Sequence, residues 1–319
     1  MVRKMTEEEE NYRKMICEEA IMKAKKIMLQ GNIETNSAYE LVSAGSYDNS
    51  IWLYERFKET MEQTVISIVL PSLINKCNAP LLRDFTLMLS NYRLMATWLC
   101  RFFEYLGRNF ICHYDPMLPL NEISHNCFQD MVIRELYSEF QAAAISLINQ
   151  ERMGLHIDHD LLKKVVLSFM EFHKDEGVSY YEDFEMAMLE ETATYYSQLT
   201  RQWLLCDSSE EYIQKVSWCL DQEKGRASCY WPLAQKCHNG IDSINAAFME
   251  RFGVIVRCQL LDQTVDKLIE KQKAENCGLL TDYQEMLSQY AGMTLKEGSS
   301  ASTLGDWLAA LLAKSTQIF

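Results

Sequence analysis

Glycine and proline are scarce: the 319 residues contain 12 and 5 of them, together about half the ordinary share. Hairpins, sandwiches and phosphate-cradling loops need glycine-rich turns, so the shortage disfavours sheet folds and nucleotide loops and leaves a mostly helical protein. Basic residues are also short, 31 against 45 acidic ones, for a net charge of −14. Such a surface repels phosphate backbones, and nucleic acid is not an expected partner. No stretch approaches the ~18 uninterrupted apolar residues of a membrane span. Val65–Ile74 is among the strongest and is broken by Ser67, Pro71 and Ser72, so no membrane partner is expected either. The N-terminus, MVRKMTEEEE, runs from basic to acidic with no apolar core of a signal peptide. The eleven cysteines include no C-x-x-C pair, which predicts reduced, mostly buried thiols in a cytoplasmic or nuclear protein. A D-D-x-x-D string is missing as well, which counts against helical synthases that hold diphosphate through magnesium.

What is present is helical periodicity from end to end. Met15, Ile16, Ala20, Ile21, Ala24, Ile27 and Met28 recur at spacings of three and four, predicting a first helix that stops near Gly31. A shorter helix carrying Tyr39, Val42 and Tyr47 is expected after Asn36-Ser37. Longer helices are expected over Ile51–Leu73, with Pro71 kinking or ending it, over Leu81–Cys112, apolar on almost every side, and over Asn121–Glu151. The second half continues with long helices and short links, expected over Asp160–His173, Tyr180–Leu205, Glu210–Tyr230, Leu233–Leu261 and Thr264–Tyr290. A Gly-Ser linker at Gly298–Ser302 precedes a short apolar-faced helix, Leu304–Lys314. Expected core residues are Trp98, Phe102, Phe103, Phe128, Leu136, Phe184, Leu189, Tyr196 and Trp203. Two blocks of about five helices, breaking near Gly154, fit a large-unit helical array.

One string invites chemistry. His156-Ile-Asp-His-Asp160 holds two histidines three apart and an adjacent His-Asp pair, the kind of set that all-helical metal-dependent phosphohydrolases use. Such a site needs further ligands on other helices, and His113, His125 and His173 lie in no second motif. The simpler reading is a helix start with Asp158 as its N-cap. Glu7–Glu10 and Glu182–Glu191 read as a helix N-terminal charge bias and a solvated face. No catalytic residue, metal ligand or cofactor is assigned, and the residues favour an interaction scaffold over an enzyme.

Longer strings carry a family resemblance. TWLCRFFEYLGRNFI (Thr97–Ile111), PLNEISHNCFQDMVIRELYSEF (Pro119–Phe140) and NQERMGLHIDHDLLKKVV (Asn149–Val166) resemble the N-terminal region of cullins. YYEDFEMAMLEETATYYSQLTRQWL (Tyr180–Leu204) and EYIQKVSWCLDQEKGRASCYW (Glu211–Trp231) are similar to that family's F-E-x-x-x-L-x-x-T-x-x-Y-Y and Y-x-x-K-x-x-x-x-L-x-x-E-x-x-R strings. The wording is most similar to plant cullins of Skp–cullin–F-box ubiquitin ligases.

The resemblance implies an all-α fold, an elongated array of five-helix cullin repeats. It divides the chain into a first repeat at 1–150, a second at 151–292 and a divergent tail at 293–319. The first repeat is expected to hold a Skp-type adaptor with its F-box protein through its second and fifth helices. On the second helix, Ala38–Asn49, Tyr39, Val42 and Tyr47 keep the family pattern, while Ser43 and Ser46 stand where a tyrosine and an aliphatic residue are expected. On the fifth, Met131, Ile133, Arg134 and Ser138 are the candidates for the adaptor-facing side. The family's RING-binding half has no counterpart in these residues, so a RING protein is not expected to bind. The implied role is a partial scaffold, or a competitor in ubiquitin-ligase assembly.

Overall fold

A computed structural model describes residues 7–30, 47–103, 117–174, 179–230 and 241–275. These residues form helices and contain no β-strand. The chain divides into two compact units, Met1–Val178 and Ser179–Phe319.

In the first unit, α1 (Glu7–Gln30) is followed by α2 (Tyr47–Thr64), a π turn, π1 (Val65–Val69), and the short α3 (Leu70–Leu73). Next come α4 (Asn78–Phe102) and α5 (Leu120–Phe128), then π2 (Gln129–Ile133), α6 (Arg134–Arg152) and α7 (His159–Glu171). The second unit holds α8 (Tyr180–Cys206), α9 (Ser209–Tyr230), α10 (Ile241–Arg257), π3 (Cys258–Asp262) and α11 (Val265–Glu275).

The centre of the first unit is α4, which packs against α1, α5, α6 and α7. Its buried residues include Leu82, Phe85, Leu89, Met95 and Leu99, and Phe85 stacks on Phe140 with ring centroids 4.2 Å apart. Polar groups pin the neighbours. The Asn91 side-chain amide donates to the Met28 carbonyl at 3.0 Å, and Arg56 grips Glu18 with two hydrogen bonds of 2.6 and 2.7 Å. The α1 helix buries the expected face, but Tyr12, Met15, Met22 and Leu29 are more than half exposed on its other side. Those residues follow a seven-residue spacing from Met15 to Leu29, so α1 carries apolar residues on two faces.

The turn at Gly154 shows why a break was legible there. Gly154 has φ +87° and its added Cβ would touch nothing, so only the left-handed backbone calls for glycine. The Leu155 amide bonds to the Gln150 carbonyl at 3.0 Å and the Gly154 amide to Glu151 at 2.8 Å, the paired bonds of a Schellman ending. The following α7 nevertheless packs on α4 and α6. The compact units therefore part at Val178 and Ser179, later in the chain than the repeat junction proposed from sequence, which is a different kind of division.

Three π turns interrupt the described helices, and none was expected. At π1 the cause is visible in the residues. Thr64 and Ser67 hydroxyls bond back to the Thr60 and Gln63 carbonyls at 2.7 and 2.6 Å, and Pro71 follows with no amide to give and a ring that needs room. Each widened turn offsets the helical register by a residue.

The family-like strings of the second unit become a buried polar network. The Tyr196 hydroxyl donates to Glu223 Oε1 at 2.7 Å, and Arg226 Nη1 donates to the same oxygen at 2.6 Å. Glu185 is paired with Arg251 across α8 and α10. Tyr212 donates to the Leu260 carbonyl in π3 at 2.7 Å, and Lys271 caps the end of α8 through the Leu204 carbonyl at 2.9 Å.

Of the nine expected core residues, Phe102, Phe103, Phe128, Phe184, Leu189 and Tyr196 are buried. Trp98, Leu136 and Trp203 are only half-buried. Trp98 lies flat on Phe102 at 5.9 Å and Trp203 meets Tyr212 edge-on at 6.2 Å, each covering the core from its rim. The described cysteines are free, as expected, but only Cys17 and Cys219 are buried, while Cys77, Cys206 and Cys229 are exposed. The expected segments 104–112, 233–240, 276–290 and 298–314 lie outside the described residues.

The network makes a prediction for stability. Tyr196→Phe should cost about 1 kcal/mol, because the carboxylate keeps Arg226. Glu223→Ala should cost about 3 kcal/mol, because it strips a partner from a buried guanidinium. Urea midpoints of the two variants, at equal denaturant slope, measure the difference.

Candidate functional site

The His156–Asp160 string is occupied in building a turn. Asp158 is the N-cap of α7, its Oδ1 accepting the Leu161 amide at 3.0 Å, as expected. His159 Nε2 lies 2.9 Å from Glu151 Oε1, which ties α7 to the end of α6. His156 and Asp160 are exposed. Among the described residues, no three His, Cys, Asp or Glu side chains gather where they would hold a metal ion.

The adaptor candidates lie along the continuous rod of α5, π2 and α6. Met131 is half-buried in π2, its Sδ 3.7 Å from the Cys127 thiol. Arg134 opens α6, exposed, with Nη2 3.0 Å from Asp130 Oδ1. Ser138 is exposed and donates to Glu139 Oε2 at 2.8 Å. Spacings of three and four put Met131, Arg134 and Ser138 on one face. Ile133 does not join them. It is fully buried: it stands seven residues before Phe140 on the stripe that α6 turns inward, with Ala144 and Leu147, and it serves the core.

The exposed surface around these residues is polar, with Asp130, Glu135 and Glu139 beside Arg134. Met131, Leu136 and Tyr137 are half-buried among them. Tyr39, Val42, Ser43 and Ser46 lie outside the described residues. Tyr47 is the first residue of α2, so residues 47–49 belong to the long second helix and not to the end of a separate one.

Sequence reading missed a groove in the first unit. It encloses about 520 Å³ between α4, the start of α5 and Phe172. Its polar wall is a strip of α4, Arg93, Thr97 and Arg101, spaced by four. The signal was present in that spacing, but the aromatic density of α4 concealed it. The half-buried Cys100 thiol lines the groove, and burial pushes that thiol up to about 11, so it stays protonated at neutral pH.

Comparison with known proteins decides the family. A model described as the cullin alpha solenoid domain matches residues 16–282. The chain belongs to the cullin family. It is 37% identical to Cullin-1 of Oryza sativa subsp. japonica over 237 residues, 74% of this chain and 30% of that protein. It is 36% identical to a cullin-like protein 2 of Arabidopsis thaliana over 184 residues, 57% of this chain and 49% of that protein. Cullin-like protein 3 of Arabidopsis thaliana is 35% identical over 185 residues, 58% of this chain and 72% of that protein. The chain thus spans about half the length of one of these cullins and under a third of another. Among the described residues, no helix is long and apolar enough to cross a membrane.

The buried and exposed candidates separate by mutation. Ile133→Ala in this cullin should lower stability by about 2–4 kcal/mol through a cavity. Arg134→Ala should change it by no more than about 0.5 kcal/mol. Thermal melting of both variants checks the assignment; equal losses would contradict it.

Proposed function

We propose that this cullin-family chain is a non-enzymatic scaffold module that holds a Skp-type adaptor and its F-box protein. The single observation that carries the reading is family membership across residues 16–282, joined to an exposed face at Met131, Arg134 and Ser138 on the rod that corresponds to the family's fifth helix. The aromatic anchors come from Tyr39 and Tyr47, with Val42 between them, and Ser43 and Ser46 mark where this chain departs from the family's pattern. Losing one aromatic anchor costs about 2 kcal/mol or more, so the interface is weaker than that of a cullin with both positions filled. Presented alone, these residues occupy adaptors without recruiting a RING protein and compete with a full-length cullin. A cytoplasmic or nuclear setting is part of the same proposal, supported by cysteines that include no C-x-x-C pair.

The test is a pull-down with purified Skp-type adaptor, an F-box protein and, separately, a RING protein. Adaptor capture without RING capture is the expected result, and Ser43→Tyr should tighten it about tenfold or more. RING capture would overturn the competitor role. Absence of adaptor capture by both the native chain and Ser43→Tyr would overturn adaptor binding and leave a cullin module directed to another partner.

A further inference from the structure

The groove on α4 differs in charge from the rest of the chain. The protein carries a net charge of −14, yet among the described residues the lining of this groove includes two arginines, Arg93 and Arg101, and no carboxylate. Glu122 and Glu171 act on His125 from beyond the lining, and burial holds that imidazole below its ordinary pKa. Its floor is apolar: Tyr92, Phe128 and Phe172 are almost fully buried there, and His125 lies flat against Phe172 with centroids 4.8 Å apart. Thr97, Asn121 and Ser124 add hydrogen-bonding groups along the walls. An apolar floor with a few convergent polar groups is the composition of a recognition site.

The groove also shows how it treats an acid. Arg93 reaches out of α4 to pair with Glu171 at the end of α7. That pair sits where this groove meets a second depression, which shares Leu89, Arg93 and Thr97 with it and is bounded by Lys164 and Glu171. Glu171 is half exposed, so the pair is a surface contact that another carboxylate can replace at small cost. Arg101, two helical turns on, is exposed and has no ion pair among the described residues.

We propose that this groove docks an acidic segment of a partner protein. One large apolar side chain of the segment seats in the groove against His125 and Cys100, above the buried Phe128 and Phe172 rings, and its carboxylates bind Arg101 and, displacing Glu171, Arg93. The surface is distinct from the Met131–Ser138 face and does not depend on adaptor binding there. Charge complementarity names the occupant: a basic strip on an acidic protein selects against most of its own surface and for an acidic ligand.

Fluorescence anisotropy with the full chain tests this. The probe is a short fluorescein-labelled peptide of glutamates around a single phenylalanine, compared with the same peptide carrying glutamines. The expected result is saturable binding of the glutamate peptide, weakened about tenfold or more by Arg101→Glu and by Arg93→Gln. Glu171→Gln should tighten it by a few-fold, since it frees Arg93. Melting temperatures confirm that each variant is folded. Lack of saturable binding, equal affinity for the glutamine peptide, indifference to Arg101→Glu, or loss of affinity in Glu171→Gln would each overturn the proposal. Equal binding of a single-stranded oligonucleotide would overturn it too, showing a general attraction for polyanions.

Discussion

The first unit depends on α4 having almost no face to spare. A helix with buried residues on nearly every turn and on most sides must be surrounded, since each large apolar side chain left in water forfeits about 1.5–3 kcal/mol. The helices that pack on α4 (α1, α3, α5, α6 and α7) meet this demand. It explains why α7 stays with the first unit although the chain has already turned at Gly154. It also explains where the groove falls: Arg93, Thr97 and Arg101 form the strip of α4 that its neighbours leave open.

The second unit is specified differently, by polar groups taken out of water. Glu223 accepts from both Tyr196 and Arg226, and Glu185 is buried beside Arg251. Burying such charges gains little net stability, because desolvation offsets the attraction. What the arrangement does impose is a register: α8 and α9 must align so that Tyr196 reaches the carboxylate that Arg226 holds within α9. The family strings therefore record a geometry of pairing as well as a pattern of apolar faces. At π3 the same logic recurs, where Tyr212 and Thr264 hydroxyls satisfy the Leu260 carbonyl.

Much of this was legible in the residues. The shortage of glycine and proline pointed to an all-helical chain, and Asp158 was readable as a cap because a short acidic side chain before an apolar run has one strong use. The π turns were not legible. A single inserted residue leaves the three- and four-residue spacing nearly intact. Ile133 was placed on the outer face by resemblance, although it stands seven residues before Phe140 on the stripe that α6 buries. Trp98 and Trp203 were misjudged for a related reason, since a large ring at a core-like spacing can close the rim of a core instead of filling it. The Arg93–Arg101 strip went unread because three polar residues among many aromatics hardly change the average of a helix.

Two surfaces of the first unit thus carry different chemistry. One is the rod of α5 and α6, where Arg134 and Ser138 are exposed and Met131 is half-buried. The other is a basic groove with an apolar floor. The scaffold reading places adaptor binding on the first surface alone. Amide hydrogen exchange of the full chain, with and without a purified Skp-type adaptor and F-box protein, is the most direct measurement of that claim. It should show slowed exchange over residues 130–142 and 38–49, with residues 93–101 and the second unit unchanged. Protection confined to the α4 groove or to the second unit, with residues 130–142 unaffected, would contradict it.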